Sequence, residues 1–329
     1  MTVLVTGGAG YIGGHMVLAL LDAGEKVVVL DDLSTGFRWA IPKEAAFVQG
    51  DFGDAALLAQ LFATHGIESI AHFAAKIVVP ESLADPMGYY LNNTVKAHTL
   101  ISSAIAAGIN RLIFSSTAAV YGEPATASVQ ETDPLAPVSP YGRSKLMVEW
   151  MLQDAARAHD LRYVALRYFN VAGADPQGRL GQSGANSTHL IKRAVQTVLG
   201  RFGHLEVFGT DYPTRDGTCI RDYIHITDLI SAHMLALGYL RQGGKPLVCN
   251  CGYGRGVSVL EVINEVKRVS GVEIAVRLSP RRAGDPARLI AVADLVRKEL
   301  GWKPQHENLG EIITQALDWE RRLHNRQPG

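Results

Sequence analysis

The sequence of 329 residues is poor in cysteine and carries no excess charge of either sign. Its three cysteines are too few for a disulfide framework and lack the spacing of a zinc site. The 32 lysines and arginines balance 32 aspartates and glutamates, so no basic patch for nucleic acid or anionic lipid is implied. No apolar run approaches the length that crosses a bilayer. These shortages argue against a disulfide-stapled, nucleic-acid-binding or membrane-spanning protein.

A targeting segment is not expected either, because strand-like residues begin at Thr2. The expected setting is a soluble, reducing cytoplasm. No spacing of His, Asp or Glu indicates a metal site, so no metal is predicted. Cys249 and Cys251 are predicted to lie on a buried strand. A chain of this length forms one large domain or two smaller ones.

In the first half, strand-like apolar runs alternate with helix-like segments, which is the pattern of a doubly wound parallel sheet. Strands are predicted near residues 3–6, 26–31, 46–50, 69–73, 111–116 and 162–167. Helices are predicted near residues 12–22, 55–64, 85–108 and 141–159.

From Asn170 the pattern changes, because glycines punctuate a long polar stretch that is too irregular for another strand–helix unit. Ser258 and Glu261 fit a capping box at the start of a helix that ends near Gly271. The other elements predicted in this half are helices near 190–199 and 227–240 and a strand near 246–251.

The expected fold is α/β, a Rossmann-type doubly wound parallel sheet with a smaller α+β carboxyl-terminal substrate domain. The first domain is predicted to span residues 1–169, with a returning segment near 222–252. The second is predicted to comprise residues 170–221 and 253–329.

A glycine-rich turn directly follows the first apolar run. Gly7, Gly10 and Gly13 have the spacing G-x-x-G-x-x-G. A strand that ends in closely spaced glycines and runs into a helix binds a dinucleotide pyrophosphate on backbone N–H groups and the helix N-terminus. The alternative is a glycine-rich turn that binds no ligand.

Asp31 closes the second predicted strand, about 20 residues after the glycines, where an acid accepts hydrogen bonds from adenosine ribose hydroxyls. A 2′-phosphate there would be repelled, and no Arg or Lys follows before Arg38. NAD is therefore favoured over NADP. Asp32 is the second candidate for this role, and its alternative is a solvated loop acid.

Tyr141 and Lys145 stand four residues apart, so they share one face of a predicted helix. The ordinary pKa of tyrosine, about 10, is too high for a base at neutral pH. A nearby ammonium and a positively charged nicotinamide both favour the phenolate and lower that pKa. The alternative is a surface Tyr–Lys pair on an ordinary helix. Following the glycine turn, this pair resembles the motif of the extended short-chain dehydrogenase/reductase family.

Further stretches make the resemblance specific, since the chain is similar to the UDP-glucose 4-epimerases (UDP-galactose 4-epimerases) along nearly its whole length. The matching stretches are 7–13, 31–36, 50–52, 72–75, 114–122, 141–145, 167–173, 221–225 and 280–285. The resemblance implies NAD-dependent 4-epimerisation of a UDP-hexose through a transient 4-keto sugar. It also implies that the first domain binds NAD and the second the UDP-sugar, and a homodimer joined by the helices near 85–108 and 141–159.

The cofactor contacts implied by the resemblance lie in the glycine turn and in the segments that follow the strands. These residues are Gly7, Gly10, Tyr11, Ile12, Gly13, Asp31, Asp32, Leu33, Ser34, Thr35, Gly36, Asp51, Phe52, Phe73, Ala74, Ala75, Lys76, Asn92, Ser115, Tyr141, Lys145 and Phe169. Asp51 and Phe52 would flank the adenine, and Phe169 would pack by the nicotinamide. Some family members carry a lysine one residue beyond Lys76, where this chain has Ile77, so the role of Lys76 as a phosphate ligand stays open.

By the same resemblance, Thr117 takes the family's catalytic Ser/Thr position, with its hydroxyl bridging the sugar 4-hydroxyl and Tyr141. Sugar-nucleotide 4,6-dehydratases carry Asp-Glu directly after this residue, and the related decarboxylases usually keep an acid at the second place. Here those places are Ala118 and Ala119. The rival interpretations are another sugar-nucleotide enzyme of this superfamily, including a 4-epimerase of UDP-pentoses or UDP-N-acetylhexosamines, and a dinucleotide-sensing regulator without activity. Such regulators typically lack the Tyr or the Lys.

The substrate contacts implied by the resemblance lie mainly in the second half of the chain. They are Thr117, Tyr168, Asn170, His189, Leu190, Glu206, Val207, Phe208, Arg221, Arg282, Asp285 and Leu289. Arginines suit a diphosphate because their donors form a fixed fork, although Arg281 and Arg282 could be a solvated basic pair. His189 stands where some epimerases carry Asn, and a lone His is more often structural. Leu289 would border the C2 substituent of the sugar and disfavour an N-acetyl group, unless it is simply a core residue.

Overall fold

The computed structural model describes residues 1–184, 187–282 and 284–324. The strands are β1 Thr2–Thr6, β2 Lys26–Asp31, β3 Ala46–Gln49, β4 Ser69–His72, β5 Arg111–Ser115, β6 Ser128–Val129, β7 Arg162–Tyr168, β8 Asn170–Ala172, β9 Leu205–Phe208, β10 Ile220–His225, β11 Leu247–Cys251, β12 Gly256–Ser258, β13 Val276–Ser279 and β14 Arg288–Ala291. The α-helices are α1 Tyr11–Asp22, α2 Ala55–His65, α3 Val79–Ala84, α4 Pro86–Tyr89, α5 Lys96–Ala106, α6 Pro140–Ala158, α7 Leu190–Val198, α8 Ile226–Arg241, α9 Val259–Ser270, α10 Asp294–Leu300 and α11 Leu309–His324. Ala283, inside the matching stretch 280–285, lies outside the described residues, as do residues 185–186 and 325–329 of the predicted second domain.

Seven parallel strands form the central sheet, in the order β11-β7-β5-β4-β1-β2-β3. This sheet confirms the predicted doubly wound fold. The chain winds outward from β1 in both directions, so the order reverses between β1 and β4. Open α/β sheets bind ligands at such a switch point, at the carboxyl ends of the strands.

The strands of this sheet are apolar on both faces because helices cover both faces. In β1, Val3 and Val5 belong to the core cluster that contains residues of α1 and α8. Leu4, between them, belongs to the opposite cluster, with residues of α2, α5 and α6. A shift of one residue would exchange the two faces, so this packing fixes the register.

The carboxyl half returns to the sheet through β11, which pairs with β7 at the edge. Cys249 and Cys251 lie fully buried on this strand, as predicted. The capping box of Ser258 and Glu261 at the start of α9 is also confirmed. Within the described residues, no helix has both the length and the apolar content to span a bilayer.

A second sheet, in the order β12-β10-β14-β6 with β8 beside β10, was not predicted. Its strands are two to six residues long, and most are too short to show a hydrophobic period in the sequence. β9 and β13 form a separate parallel pair. The prediction of one helical stretch near 85–108 was wrong in one respect: a π-helical segment, Tyr90–Val95, separates α4 from α5.

Candidate active site

The three glycines allow the turn after β1 to pack closely against neighbouring backbone. Gly7 has a φ of +74°, and a Cβ there would lie 2.6 Å from the backbone nitrogen of Ala74. A Cβ on Gly13 would lie 2.2 Å from the carbonyl oxygen of Gly7. Helix α1 begins at Tyr11 with Gly10 as its cap, so no side chain of the capping residue satisfies its first N–H groups. Free N–H groups at a helix N-terminus suit a phosphate.

Asp31, at the carboxyl end of β2, forms a hydrogen bond to the backbone of the glycine turn. Its carboxylate accepts hydrogen bonds from the backbone N–H groups of Ala9 and Leu33, both at 2.9 Å. Burial raises the pKa of this carboxyl group, while the two N–H groups oppose that effect. Each oxygen keeps a further lone pair, so the carboxylate can still accept from ribose hydroxyls.

The loop after Asp31 folds over the glycine turn. A Cβ on Gly36 would lie 2.6 Å from the Cβ of Ala9, and the backbone N–H of Phe37 donates to the carbonyl of Ala9 at 3.1 Å. Asp32 instead accepts from the backbone N–H and hydroxyl of Ser34, at 2.8 and 2.6 Å, in an exposed turn. Of the two candidate acids, Asp31 is therefore the one that faces the predicted cofactor site.

Asp51 and Phe52 follow β3, the outer strand beside β2. Asp51 forms an ion pair of 2.7 Å with Lys96, whose ammonium also lies 5.8 Å from the centre of the Phe52 ring. Phe52 is buried and packs against the imidazole of His72, with ring centres 5.0 Å apart. The carboxylate of Asp51 remains half exposed, whereas the Phe52 ring faces the core.

The segment after β4 is anchored by Asn93, the neighbour of Asn92, for which the resemblance implies a cofactor contact. The buried Asn93 side chain bonds to both the N–H and the carbonyl of Lys76 at 2.9 Å, and to the hydroxyl of Ser144 at 3.1 Å. Asn92 only donates to the Asn93 side chain, at 3.1 Å. The Lys76 ammonium lies 3.7 Å from the Asp85 carboxylate, and both groups are exposed.

Tyr141 and Thr117 meet at the carboxyl end of β5. Thr117 caps the short 3₁₀ helix Ala118–Tyr121, and its hydroxyl accepts from the backbone N–H of Ala119 at 3.1 Å. Burial raises the pKa of Tyr141, and a hydrogen bond with Thr117 lowers it. The phenol is thus neutral in the protein alone and needs a positive charge nearby to act as a base.

Lys145 lies one helical turn beyond Tyr141 on the same face of α6. Its ammonium donates to the carbonyl of Ser115 at 2.8 Å and lies 4.9 Å from the centre of the Phe114 ring. Burial lowers the pKa of Lys145 to about 7. The carbonyl and the ring face both stabilise the ammonium form and oppose that effect. The predicted catalytic residues therefore come together at one strand end.

The predicted arginines lie near the second sheet. Arg221 donates to the carbonyls of Ile220 and Pro286, at 2.9 and 2.7 Å, and lies 3.4 Å from the Asp285 carboxylate. The Arg282 guanidinium stacks 3.7 Å above the ring centre of Phe208. A cavity of about 630 Å³ borders this region. Its lining includes Glu123, Tyr212, Arg281, Arg282, Asp285 and Arg288.

A profile of the NAD dependent epimerase/dehydratase family matches residues 3–252. The chain belongs to this family. A UDP-glucose 4-epimerase of Azospirillum brasilense is 55% identical over 98% of this chain and 92% of the relative. A UDP-glucose 4-epimerase of Brucella ovis, solved with NAD, superimposes with a TM-score of 0.93 at 44% identity, covering 96% of this chain and 97% of that one. The enzyme from Bifidobacterium longum, solved with NAD⁺ and UDP, gives 0.94 at 35% identity, covering 99% of both chains.

The residues at the switch point fit the NAD of this family. A side chain at Gly7 or Gly13 would collide with backbone, which keeps the helix N-terminus open for a diphosphate. The Asp31 carboxylate retains acceptor capacity beside that turn. Its negative charge favours NAD over a cofactor with a 2′-phosphate.

The other predicted contact residues differ in their hydrogen bonds and in their burial. The Tyr168 hydroxyl forms a short hydrogen bond with the Ser115 hydroxyl. His189 accepts from Gln182 at 2.8 Å, and burial lowers its pKa, so it is neutral. The Val207 side chain is fully buried in the core, whereas its neighbour Glu206 is exposed. The remaining predicted contacts, which the structure places at the start of α1, at or near strand ends, in the loop after β2 or at the start of α7, are Ile12, Thr35, Phe73, Ala75, Phe169, Asn170 and Leu190.

Leu289 lies on β14, opposite Arg221 of β10. It is 9% exposed and belongs to a small cluster with residues that directly follow Thr117. The buried members of that cluster are Ala118, Val120, Tyr121, Val129, Leu146 and Leu289. Its position is therefore compatible both with a pocket wall and with the core residue considered as the alternative.

A buried polar network that was not predicted lies behind the predicted catalytic residues of this family member. Glu149 and Arg167 form an ion pair in which Arg Nη2 and Glu Oε2 are 2.6 Å apart. The Tyr121 hydroxyl accepts from Arg167 at 3.0 Å and donates to Asn250 at 2.7 Å. The one available signal was the position of Glu149, four residues after Lys145 on the same helix face.

Proposed function

We propose that the protein is an NAD-dependent UDP-hexose 4-epimerase that interconverts UDP-glucose and UDP-galactose. The observation that carries this proposal is the segment at the end of β5. The Thr117 hydroxyl lies near the Tyr141 phenol, and the next two residues are Ala118 and Ala119. Neither alanine can serve as the acid or base that elimination of water requires.

The side chains of the site supply proton transfer. Tyr141 removes the proton of the sugar 4-hydroxyl and later returns it, while the Thr117 hydroxyl shares that hydrogen bond. An ammonium on Lys145 favours the phenolate form of Tyr141, whereas burial raises the pKa of that phenol. NAD, when bound, supplies the hydride acceptor and donor for C4 of the sugar.

Arg221 and Arg282 are the proposed ligands of the UDP diphosphate. Two carbonyl acceptors and Asp285 hold the guanidinium of Arg221 in place. Arg282 lies over the face of Phe208, in the segment proposed to border the uracil. Two guanidinium groups match the charge of a diphosphate and offer paired donors. A cytoplasmic location, where both cofactor and sugar nucleotide are available, belongs to the same proposal.

The helices on one side of the protein support a homodimer. The segment from Ile77 through α3, α4 and the π-helical segment, together with α6, exposes large apolar side chains that the described part of the chain leaves uncovered. These are Ile77, Leu83, Met87, Leu91, Val95 and Trp150, of which Met87 is 73% exposed. A second copy of the same face would cover them in a two-fold arrangement.

The dimer is tested by light scattering after gel filtration. Met87→Glu combined with Leu91→Glu should give monomers, because both residues would then place charges in the contact. Leu278, on β13, is about as exposed as Met87 and Leu91. Leu278→Glu is therefore the control and should leave the dimer intact. A wild-type monomer, or dimers that survive the double substitution, would exclude this face.

The activity is tested by incubating the purified protein with UDP-galactose, UDP-N-acetylgalactosamine or UDP-xylose. We expect UDP-galactose to reach equilibrium with UDP-glucose at unchanged mass, which proton NMR and mass spectrometry detect. A product lighter by one water would indicate a dehydratase. Conversion of UDP-xylose alone would indicate a pentose epimerase, and the absence of any product with all three substrates would contradict the proposal.

A further inference from the structure

Glu149 lies on the same face of α6 as the proposed catalytic pair, at four-residue intervals after Tyr141 and Lys145. Its side chain is as buried as that of Arg167, each 5% exposed. The carboxylate accepts from Arg167 Nε at 3.0 Å and from Nη2 at 2.6 Å, and also from the hydroxyl of Ser116 at 2.5 Å. The proposed reaction assigns no step to this carboxylate.

Three consecutive residues at the end of β5 face this helix. The carbonyl of Ser115 accepts from Lys145, the hydroxyl of Ser116 donates to Glu149, and the hydroxyl of Thr117 lies near the Tyr141 phenol. The contact of Glu149 thus lies between the two contacts that place the reacting groups. A movement of Ser116 would displace both of its neighbours.

Arg167 extends the same network around Thr117. It donates to the hydroxyl of Tyr121, the last residue of the 3₁₀ helix that Thr117 caps. The next residue of β7, Tyr168, bonds to the hydroxyl of Ser115. The Glu149–Arg167 pair therefore contacts the catalytic segment both before and after Thr117.

A buried ion pair is often no more stabilising than apolar residues of the same volume, because both charges lose their hydration. Its fixed bidentate geometry does, however, determine position. We propose that Glu149 is a positioning residue, which acts through Ser116 and Arg167 to hold the Thr117 hydroxyl and the Lys145 ammonium at Tyr141. This inference rests on the proposed epimerase function.

The test compares Ser116→Ala and Glu149→Gln with wild type. Misplacement of reacting groups by about 1 Å can reduce a rate by about 10², and Ser116→Ala removes one of several bonds, so we expect its kcat to fall about tenfold. The KM for UDP-galactose and the amount of bound NAD should not change, because neither residue contacts these ligands in the proposal. Glu149→Gln should lower kcat further, since Arg167 then loses its counter-charge.

Two matched control variants test whether the loss of a hydroxyl or an ion pair lowers kcat wherever it lies in the sheet, or only beside the site. Ser69→Ala removes a buried hydroxyl at the amino end of β4, and Glu25→Gln weakens the bidentate pair with Arg241 before β2. Both changes lie at the opposite end of the sheet from the site, so kcat should stay within about twofold of wild type.

In the double variant, the effects on kcat should not be additive, because both substitutions interrupt the same path. If Glu149→Gln does not fold, Ser116→Ala alone decides the question. A kcat of Ser116→Ala near that of wild type would overturn the inference. A lower kcat together with a similarly higher KM and less bound NAD would also overturn it, because such changes indicate a general structural defect. Failure of the wild-type protein to epimerise any UDP-sugar would instead contradict the proposed function.

Discussion

Replacement of Lys145 by Met tests the electrostatic activation of Tyr141. Methionine keeps an unbranched apolar side chain over the Phe114 ring, one heavy atom shorter than lysine, but removes the charge and the hydrogen bond to Ser115. Burial lowers the pKa of Lys145 to about 7. The Ser115 carbonyl, the ring face and a phenolate on Tyr141 each favour the ammonium, so the lysine remains charged while the tyrosine acts.

The size of the effect follows from the geometry of α6. Four residues correspond to a rise of about 6 Å along the helix. Two unit charges about 6 Å apart interact by ~3 kcal/mol at an effective dielectric constant of about 20. This energy corresponds to about two pKa units. Loss of the ammonium disfavours the phenolate, so the pKa of Tyr141 should rise by about two units and the rate at pH 7 should fall by about 10².

The assay is kcat for UDP-galactose as a function of pH, measured for wild type, Lys145→Met and the control Lys298→Met. Lys298 is an exposed lysine of α10, so its loss should leave the profile unchanged. In Lys145→Met the acid limb should move to higher pH by about two units, and high pH should recover part of the rate. A uniformly lower rate with no movement of the acid limb would refute the electrostatic argument.

Three further changes probe other parts of the site. Tyr141→Phe should keep the fold and lower kcat by about 10² to 10⁴, the usual range for a general base, and near wild-type turnover would remove the proposed proton transfer. Gly13→Ala should abolish NAD binding or folding, because the new Cβ would lie 2.2 Å from the Gly7 carbonyl oxygen, and a NAD-loaded variant would contradict this packing. Leu289→Ala should raise, and Leu289→Tyr should abolish, the residual activity on UDP-N-acetylglucosamine relative to UDP-galactose. An unchanged ratio of the two activities would place the specificity determinant elsewhere.

The central sheet and the glycine turn could be predicted because their signals are local. Strands buried on both faces are continuous apolar runs, as in Val3, Leu4 and Val5, and they alternate with helical segments. The turn needs glycine wherever backbone approaches backbone, which fixes Gly7 and Gly13. The capping box of α9 is local in the same sense.

The parts that were missed depend on contacts between distant segments. β6 and β8 are two and three residues long and exist through pairing with β14 and β10. The π-helical segment presents Asn93 to Lys76, and nothing in the local sequence distinguishes Asn93 from Asn92. The ion pair of Glu149 with Arg167 requires that α6 pack against β7, which no single motif reveals.

Epimerisation of UDP-galactose in D₂O, with no cofactor added, tests the central claim most directly. Tyr141 exchanges only the hydroxyl proton, so the hydrogen on C4 of the product should come from C4 of the substrate. Proton NMR should therefore show UDP-glucose with no deuterium at C4. Deuterium at C4, or conversion only after NAD is supplied, would contradict the account.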